Sequence, residues 1–195
     1  MIWLWACTAA PPTSDLEPGA CTVTPAANVP ETSLGCALGT GDIAYTELGE
    51  PARVPYFAGP QGGWHVFGSL RVAGVSPGEL GVLASTHNPM IRFRVLRDGE
   101  LFGGVDFEQP RWLEPVGETG WYEHVGEQLV LAIYETWEAD GLEATLAYEL
   151  RDERGNQLAY EQQVELYFQP MDGDTGDTGD TGDTGDTGDT GKVVR

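Results

Sequence analysis

Gly59-Pro60-Gln61-Gly62-Gly63-Trp64-His65-Val66-Phe67-Gly68-Ser69-Leu70-Arg71-Val72 is the stretch whose reading decides the fold. A Pro/Gly turn cluster runs directly into a period-two segment, with Trp64, Val66, Leu70 and Val72 on one face and His65, Ser69 and Arg71 on the other. Such alternation specifies a strand buried on one side, with a polar outer face that includes His65 beside Arg71. The runs on either side of it read as its partners.

Toward the carboxyl terminus, Val82-Leu83-Ala84 reads as a short strand ended by Asn88-Pro89, and Ile91, Phe93 and Val95 then alternate with Arg92 and Arg94. Asp98-Gly99 is a hairpin signal, because a two-residue type I′ turn needs positive φ at both central positions. The return limb, Leu101 to Val105, carries Gly103-Gly104, which suggests a bulge or a close backbone approach. Residues 110–122 are rich in loops and aromatics and specify no element. Beyond them, Leu129, Leu131 and Ile133 line one strand, Asp140-Gly141 turns the chain, and Leu142 to Leu150 alternates. A turn at Asp152 to Asn156 returns the chain through Leu158 to Phe168. Toward the amino terminus, Asp42 to Leu48 reads as a strand, and Val54-Pro55-Tyr56-Phe57 as an edge piece, since proline cannot donate to a central ladder.

No window carries a capped 3.6-residue period. About eight or nine short strands, with turns every 8–15 residues or so, predict an all-β fold: a single antiparallel β-sandwich, with a closed barrel as the alternative. The alternation resembles immunoglobulin-like or fibronectin-like bacterial surface modules in architecture only, and such a likeness carries no function.

The chain of 195 residues has 31 Asp and Glu against 10 Lys and Arg, a net charge of -21. A surface of that sign repels phosphate backbones and anionic headgroups, so nucleic acid is excluded as a partner, and a soluble monomer is expected. Six Trp, seven Tyr and six Phe argue for a packed core rather than a disordered acidic chain.

Met1 to Cys7 is apolar but much shorter than the roughly 20 residues a membrane span needs. Leu4-Trp5-Ala6-Cys7 resembles a bacterial lipobox, departing from it at Trp5 and in the shortness of the apolar run, which a start codon upstream of Met1 would restore. The resemblance implies a lipid on Cys7 and a place in the bacterial cell envelope, facing the outside or the periplasm, with the membrane reached only through that anchor. Cys21 and Cys36 then remain, either as a disulfide in an oxidising compartment or as free thiols. No Cys-x-x-Cys or clustered Cys/His spacing points to zinc, and no cofactor motif is present.

The expected organisation is therefore a signal-peptide remnant with its anchor cysteine at 1–7, a Pro/Thr/Ala-rich tether at 8–36, a β-sandwich at 37–170 and an acidic tail at 171–195. Asp-Thr-Gly recurs in step from Asp174 to Gly191, six copies without an apolar residue, so a disordered tail is expected. Aspartic proteases use this tripeptide in two buried copies, collagen needs proline, and calcium loops have other spacings; the tail is expected to attract calcium only diffusely and weakly. Such runs resemble the spacers of bacterial surface lipoproteins.

His65, His87 and His124 are dispersed, and no serine stands in a Gly-x-Ser-x-Gly elbow. Glu123, Glu135 and Glu138 are the carboxylates a glycosidase pair would draw on. Trp112, Trp121 and Tyr122, near Arg111 and Glu123, are the one constellation suited to stacking on a sugar or anchoring a protein. The expected function is a non-enzymatic surface lipoprotein displaying a β-sandwich for ligand binding. A carbohydrate-binding module using Trp112 and Trp121 is the alternative, and an extracellular hydrolase a more distant one.

Overall fold

The computed structural model describes residues 21–59 and 62–170. The anchor assigned to Cys7, the first part of the tether and the Asp-Thr-Gly tail lie outside the described residues. Among the described residues strand accounts for 52%, and the helices are two short 3-10 turns, which makes the fold all-β. The strands are β1 (Cys21–Thr24), β2 (Gly35–Thr40), β3 (Thr46–Glu47), β4 (Arg53–Ala58), β5 (Trp64–Ala73) and β6 (Met90–Arg97). They continue as β7 (Glu100–Gly104), β8 (Gln109–Pro110), β9 (Glu114–Pro115), β10 (Trp121–Leu131), β11 (Glu143–Arg151) and β12 (Gln157–Phe168).

The expected sandwich is replaced by a closed barrel of seven strands. Around the wall the order is β5, β4, β12, β11, β6, β7, β10 and back to β5. Closure follows from the length of β5. Its ten residues offer two full edges, one taken along its whole length by β10 and the other divided between β4 at Trp64–Val66 and β2 at Ser69–Ala73. Two stacked sheets would leave one of these edges open, whereas closure occupies both edges of β5.

Alternate residues point inward, among them Tyr56, Val66, Leu70, Phe93, Leu129, Leu146, Tyr148 and Leu166, all essentially inaccessible to water. Each large apolar side chain so buried contributes about 1.5–3 kcal/mol. Gly68 is one of the inward positions. A side chain there would meet the Phe93 ring at 2.8 Å, so the glycine makes room for Phe93 across the interior.

Pro55 does not mark an edge. β4 lies between β12, which it pairs in parallel, and β5, and the β5 ladder begins only at Tyr56. The backbone oxygens of Ala52 and Tyr56 accept bonds from Glu165 and Gln169 on the β12 side, at 3.0 and 3.1 Å. Since successive residues turn their backbone groups to opposite sides, the missing N–H of Pro55 faces away from β12, where β5 has not yet joined.

Within residues 21–36, assigned from the sequence to the tether, Cys21–Thr24 and Gly35–Cys36 pair onto strands of the wall. β1 pairs with Gln157–Tyr160 of β12, and β2 pairs with the second half of β5, so the expected domain boundary at residue 37 falls inside β2. β4 bridges β5 and β12 at one end of the barrel, while β1 and β2 extend the same two strands at the other. A disulfide between Cys21 and Cys36, with a Cα separation of 5.7 Å, joins β1 to β2.

Two expected strands shrink or vanish. Asp42 to Leu48 keeps only β3, with Ile43 91% exposed. Val82-Leu83-Ala84 forms turns, because Asn88 captures the backbone instead: its amide donates to the oxygens of Val82 and Leu83 and its carbonyl accepts from Glu79 N. Asp98 and Gly99 carry φ of 52° and 80°, as the hairpin signal requires.

Candidate functional site

The chemistry of the described chain concentrates where β10 leaves its regular register. His124 lies opposite Leu70, and the next paired residue, Glu127, lies opposite Gly68. Three steps on β10 therefore match two on β5, which is a β-bulge. In an unbroken strand residues three apart face opposite sides; the extra residue turns both His124 and Glu127 inward. Gly126, at φ 79°, makes this local path feasible, and a Cβ there would collide with the Asp42 carbonyl oxygen. Its N–H donates to Ser69 Oγ at 3.2 Å, and Ser69 Oγ donates to Gly41 O at 3.1 Å, so the bulge is fastened to the β2–β3 connection.

Glu127 is the centre of the cluster. Arg111, from the segment between β8 and β9, grips it with two bonds, Nε to Oε2 and Nη2 to Oε1, both 2.8 Å. His124 Nε2 lies 2.9 Å from Oε2. Burial alone would push the Glu127 carboxyl up, but the bonds from His124 and Arg111 and the arginine charge outweigh it and hold the carboxyl at about 2. Two further Arg111 N–H groups donate to Gln109 Oε1 and Pro110 O. β10 pairs with β7 only at Leu131, and Arg111 and Glu127 line a small cavity together with Ile91, Phe93 and Leu129.

Outside the cluster lies a cleft of about 250 Å³. Asp42, Arg111, Trp112, Glu114, Glu123 and His124 are among the residues that line it. Glu114 and Glu123 stand directly opposite each other across β9 and β10. Glu123 is paired with Arg71 across the β5 ladder at 2.8 Å, and the Arg71 guanidinium rests on the Tyr45 ring at 4.2 Å.

The three aromatics singled out from the sequence do not share a surface. Trp121 lies outward, its ring 3.0 Å from the position a Gly35 Cβ would occupy, while Tyr122, the next residue, packs against the core. Trp112 alone reaches the cleft. The carboxylates considered for hydrolysis are scattered: Glu123 sits on β10, whereas Glu138, on the turn after β10, accepts the backbone N–H groups of Tyr134 and Glu135 at 2.7 Å each.

His65 corrects the expectation of a polar outer face. It is buried beneath Phe57 and Phe67, and that burial lowers its pKa. His87 pairs with Glu153, whose other oxygen accepts from Ser76 Oγ; this ties the 74–89 loop to the β11–β12 turn. Among the described residues no group of three or more His, Cys, Asp or Glu is placed to hold a metal ion. Glu127 went unnoticed in the sequence, and the only signal for it was Gly126 within a strand next to His124.

Comparison with protein-family models, curated proteins and solved structures finds no match.

Proposed function

We propose that the chain is a non-enzymatic, lipid-anchored protein of the bacterial cell envelope that binds a ligand in the cleft beside Trp112. The observation that carries binding is the way charge is distributed there. Arg111 and His124 both spend their bonding on Glu127, whose carboxyl is held at about 2, so the polar groups best suited to proton transfer are engaged in closing the barrel. Besides these two, the cleft is lined by Trp112 and by the carboxyl-bearing Asp42, Glu114 and Glu123, a lining suited to holding a small polar ligand.

The Cys21–Cys36 disulfide supports an oxidising compartment, and the lipobox-like Leu4-Trp5-Ala6-Cys7 supports the anchor. The test has two arms. Full-length gene product expressed with labelled palmitate should take up label in the wild type and lose it in Cys7→Ser; label retained in the variant rejects the anchor. Glycan and small-molecule titrations followed at the Trp112 indole N–H by NMR test the cleft, and a resonance that no ligand class moves rejects it.

A further inference from the structure

The loop that follows β5 is bonded to itself in a way that fixes three aliphatic side chains in water. Asn88, only 3% exposed, donates from its amide to Val82 O at 2.8 Å and Leu83 O at 3.3 Å, and its carbonyl accepts from Glu79 N at 2.9 Å. Val82 N donates to Glu79 O, Ser85 N to Val82 O and Asn88 N to Ser85 O, at 3.1, 3.2 and 3.2 Å. Gly78, at φ 82°, packs so closely that a Cβ there would come 2.8 Å from Asn88 Cα. On this frame Leu80, Val82 and Leu83 stand 62%, 43% and 57% exposed. Residues 80–86 carry no charge, in a chain of net charge -21. The loop, the exit of β1 and the β11–β12 turn are bonded at one end of the barrel: Ser76 Oγ and His87 Nδ1 each lie 2.7 Å from Glu153, and Ala26 N donates to Asn156 Oδ1 at 2.9 Å.

We infer that Leu80, Val82 and Leu83 form a tip that enters the interfacial layer of a lipid bilayer, turning this end of the barrel toward the membrane; the orientation rests on the anchor reading above. Three observations select lipid as what covers the tip. Side chains exposed to this degree offer a few hundred Å², well below the roughly 800 Å² per partner of a stable protein interface, whereas in a bilayer each apolar side chain partitions on its own. The backbone oxygens of Glu79, Val82, Leu83 and Ser85 already accept bonds inside the loop, and a segment entering lipid must satisfy its backbone internally. The described chain begins on β1, which runs toward this same end, and the stretch from Cys7 to Cys21 reaches at most about 50 Å, enough to place the tip on the membrane that holds Cys7. Tyr134 and Trp137, 91% and 75% exposed, project from the other end, where Trp64 Nε1 donates to Tyr134 O, but Glu135 and Glu138 stand beside them and carboxylates are costly in lipid.

The experiment uses the full-length Cys7→Ser chain, which cannot carry the lipid, so its result is independent of the anchor. Phosphatidylcholine bicelles with a spin label on the acyl chain are added to tens of mM lipid, at or above the effective concentration a tether supplies. The NMR amide signals of Leu80 to Leu83 should broaden while the Trp137 indole signal does not. Leu80→Ser/Leu83→Ser, at exposed positions, should keep the melting temperature and weaken the broadening about tenfold or more. Replacing part of the lipid by phosphatidylglycerol should weaken it as well, because the chain is strongly negative. No broadening in the loop overturns the inference, and broadening at Trp137 in its place assigns membrane contact to the opposite end. Loss of the loop signals on raising protein concentration without lipid overturns it in favour of a second copy of the chain. Loop signals that broaden when the wild type takes up no palmitate support the tip and reject the anchor alone.

Discussion

Arg111 holds Glu127 by a two-pronged bond, Nε to Oε2 and Nη2 to Oε1 at 2.8 Å each, on the side of β10 where its ladder with β7 is limited to Leu131. The side chains are largely out of water, 20% and 16% exposed. A barrel closed here by an ion pair instead of a ladder depends on the charge state of that pair.

Acid should therefore weaken the fold in a defined window. The Glu127 carboxyl sits at about 2 in the fold against an ordinary 4.5, so its contribution is complete above pH 4.5 and is lost as the pH falls from there toward 2. Discounted for water at the mouth of the cleft, the loss is on the order of 2 kcal/mol. Urea unfolding at a series of pH values checks this, and Glu127→Gln should be less stable at neutral pH with a flatter profile between pH 4.5 and 2.

Removing the Cys21–Cys36 disulfide should cost about 3 kcal/mol, or roughly 10 °C in melting temperature, by releasing a loop of about 15 residues. The Cys21→Ser/Cys36→Ser double variant, compared with wild type by calorimetry, measures it. Hydrogen exchange should quicken first in Cys21–Thr24, whose one ladder among the described residues is with β12.

Gly126→Ala should destabilise by about 2 kcal/mol or more, because it combines a strained positive φ with a collision against the Asp42 carbonyl oxygen. The bulge has to shift, so the His124 and Trp112 ring signals should move in NMR spectra. Gly117→Ala, also at positive φ but in open space, should cost less.

Tyr148→Phe should leave stability unchanged or raise it by up to about 1 kcal/mol. Its hydroxyl is fully buried, burial raises its pKa well above the ordinary value, and among the described residues no partner accepts or donates a bond to it. The stacking on Tyr160, with ring centres 6.3 Å apart, survives the change. Equilibrium unfolding of the two proteins settles the sign.

The local pattern was informative wherever one face meets the core. Leu142 to Leu150 and Leu158 to Phe168 alternate in the sequence and form β11 and β12, and the Asp98-Gly99 turn follows from its need for positive φ. Where a run is short, the pattern misled. Val82 and Leu83 are apolar yet exposed, because Asn88 bonds their carbonyls and no strand lies beside them. Trp112 and Glu123 were visible as candidates one at a time. The cleft they share was not, since it needs the β2–β3 connection brought over β10 by the Ser69 and Gly126 bonds.

Composition and alternation by themselves determined an acidic all-β protein, because period-two burial is a property of consecutive residues. Which edges pair was decided only by the tertiary structure: β5 accepts three strands, β4 sits inside the wall despite Pro55, and β1 and β2 belong to the barrel. Edge pairing depends on residues far apart in the chain, and no local pattern encodes it. The same holds at the centre of the site. Strand parity assigns His124 and Glu127 to opposite faces, and one extra residue at Gly126, fixed by a hydroxyl and a carbonyl from two other parts of the chain, puts both on the inside.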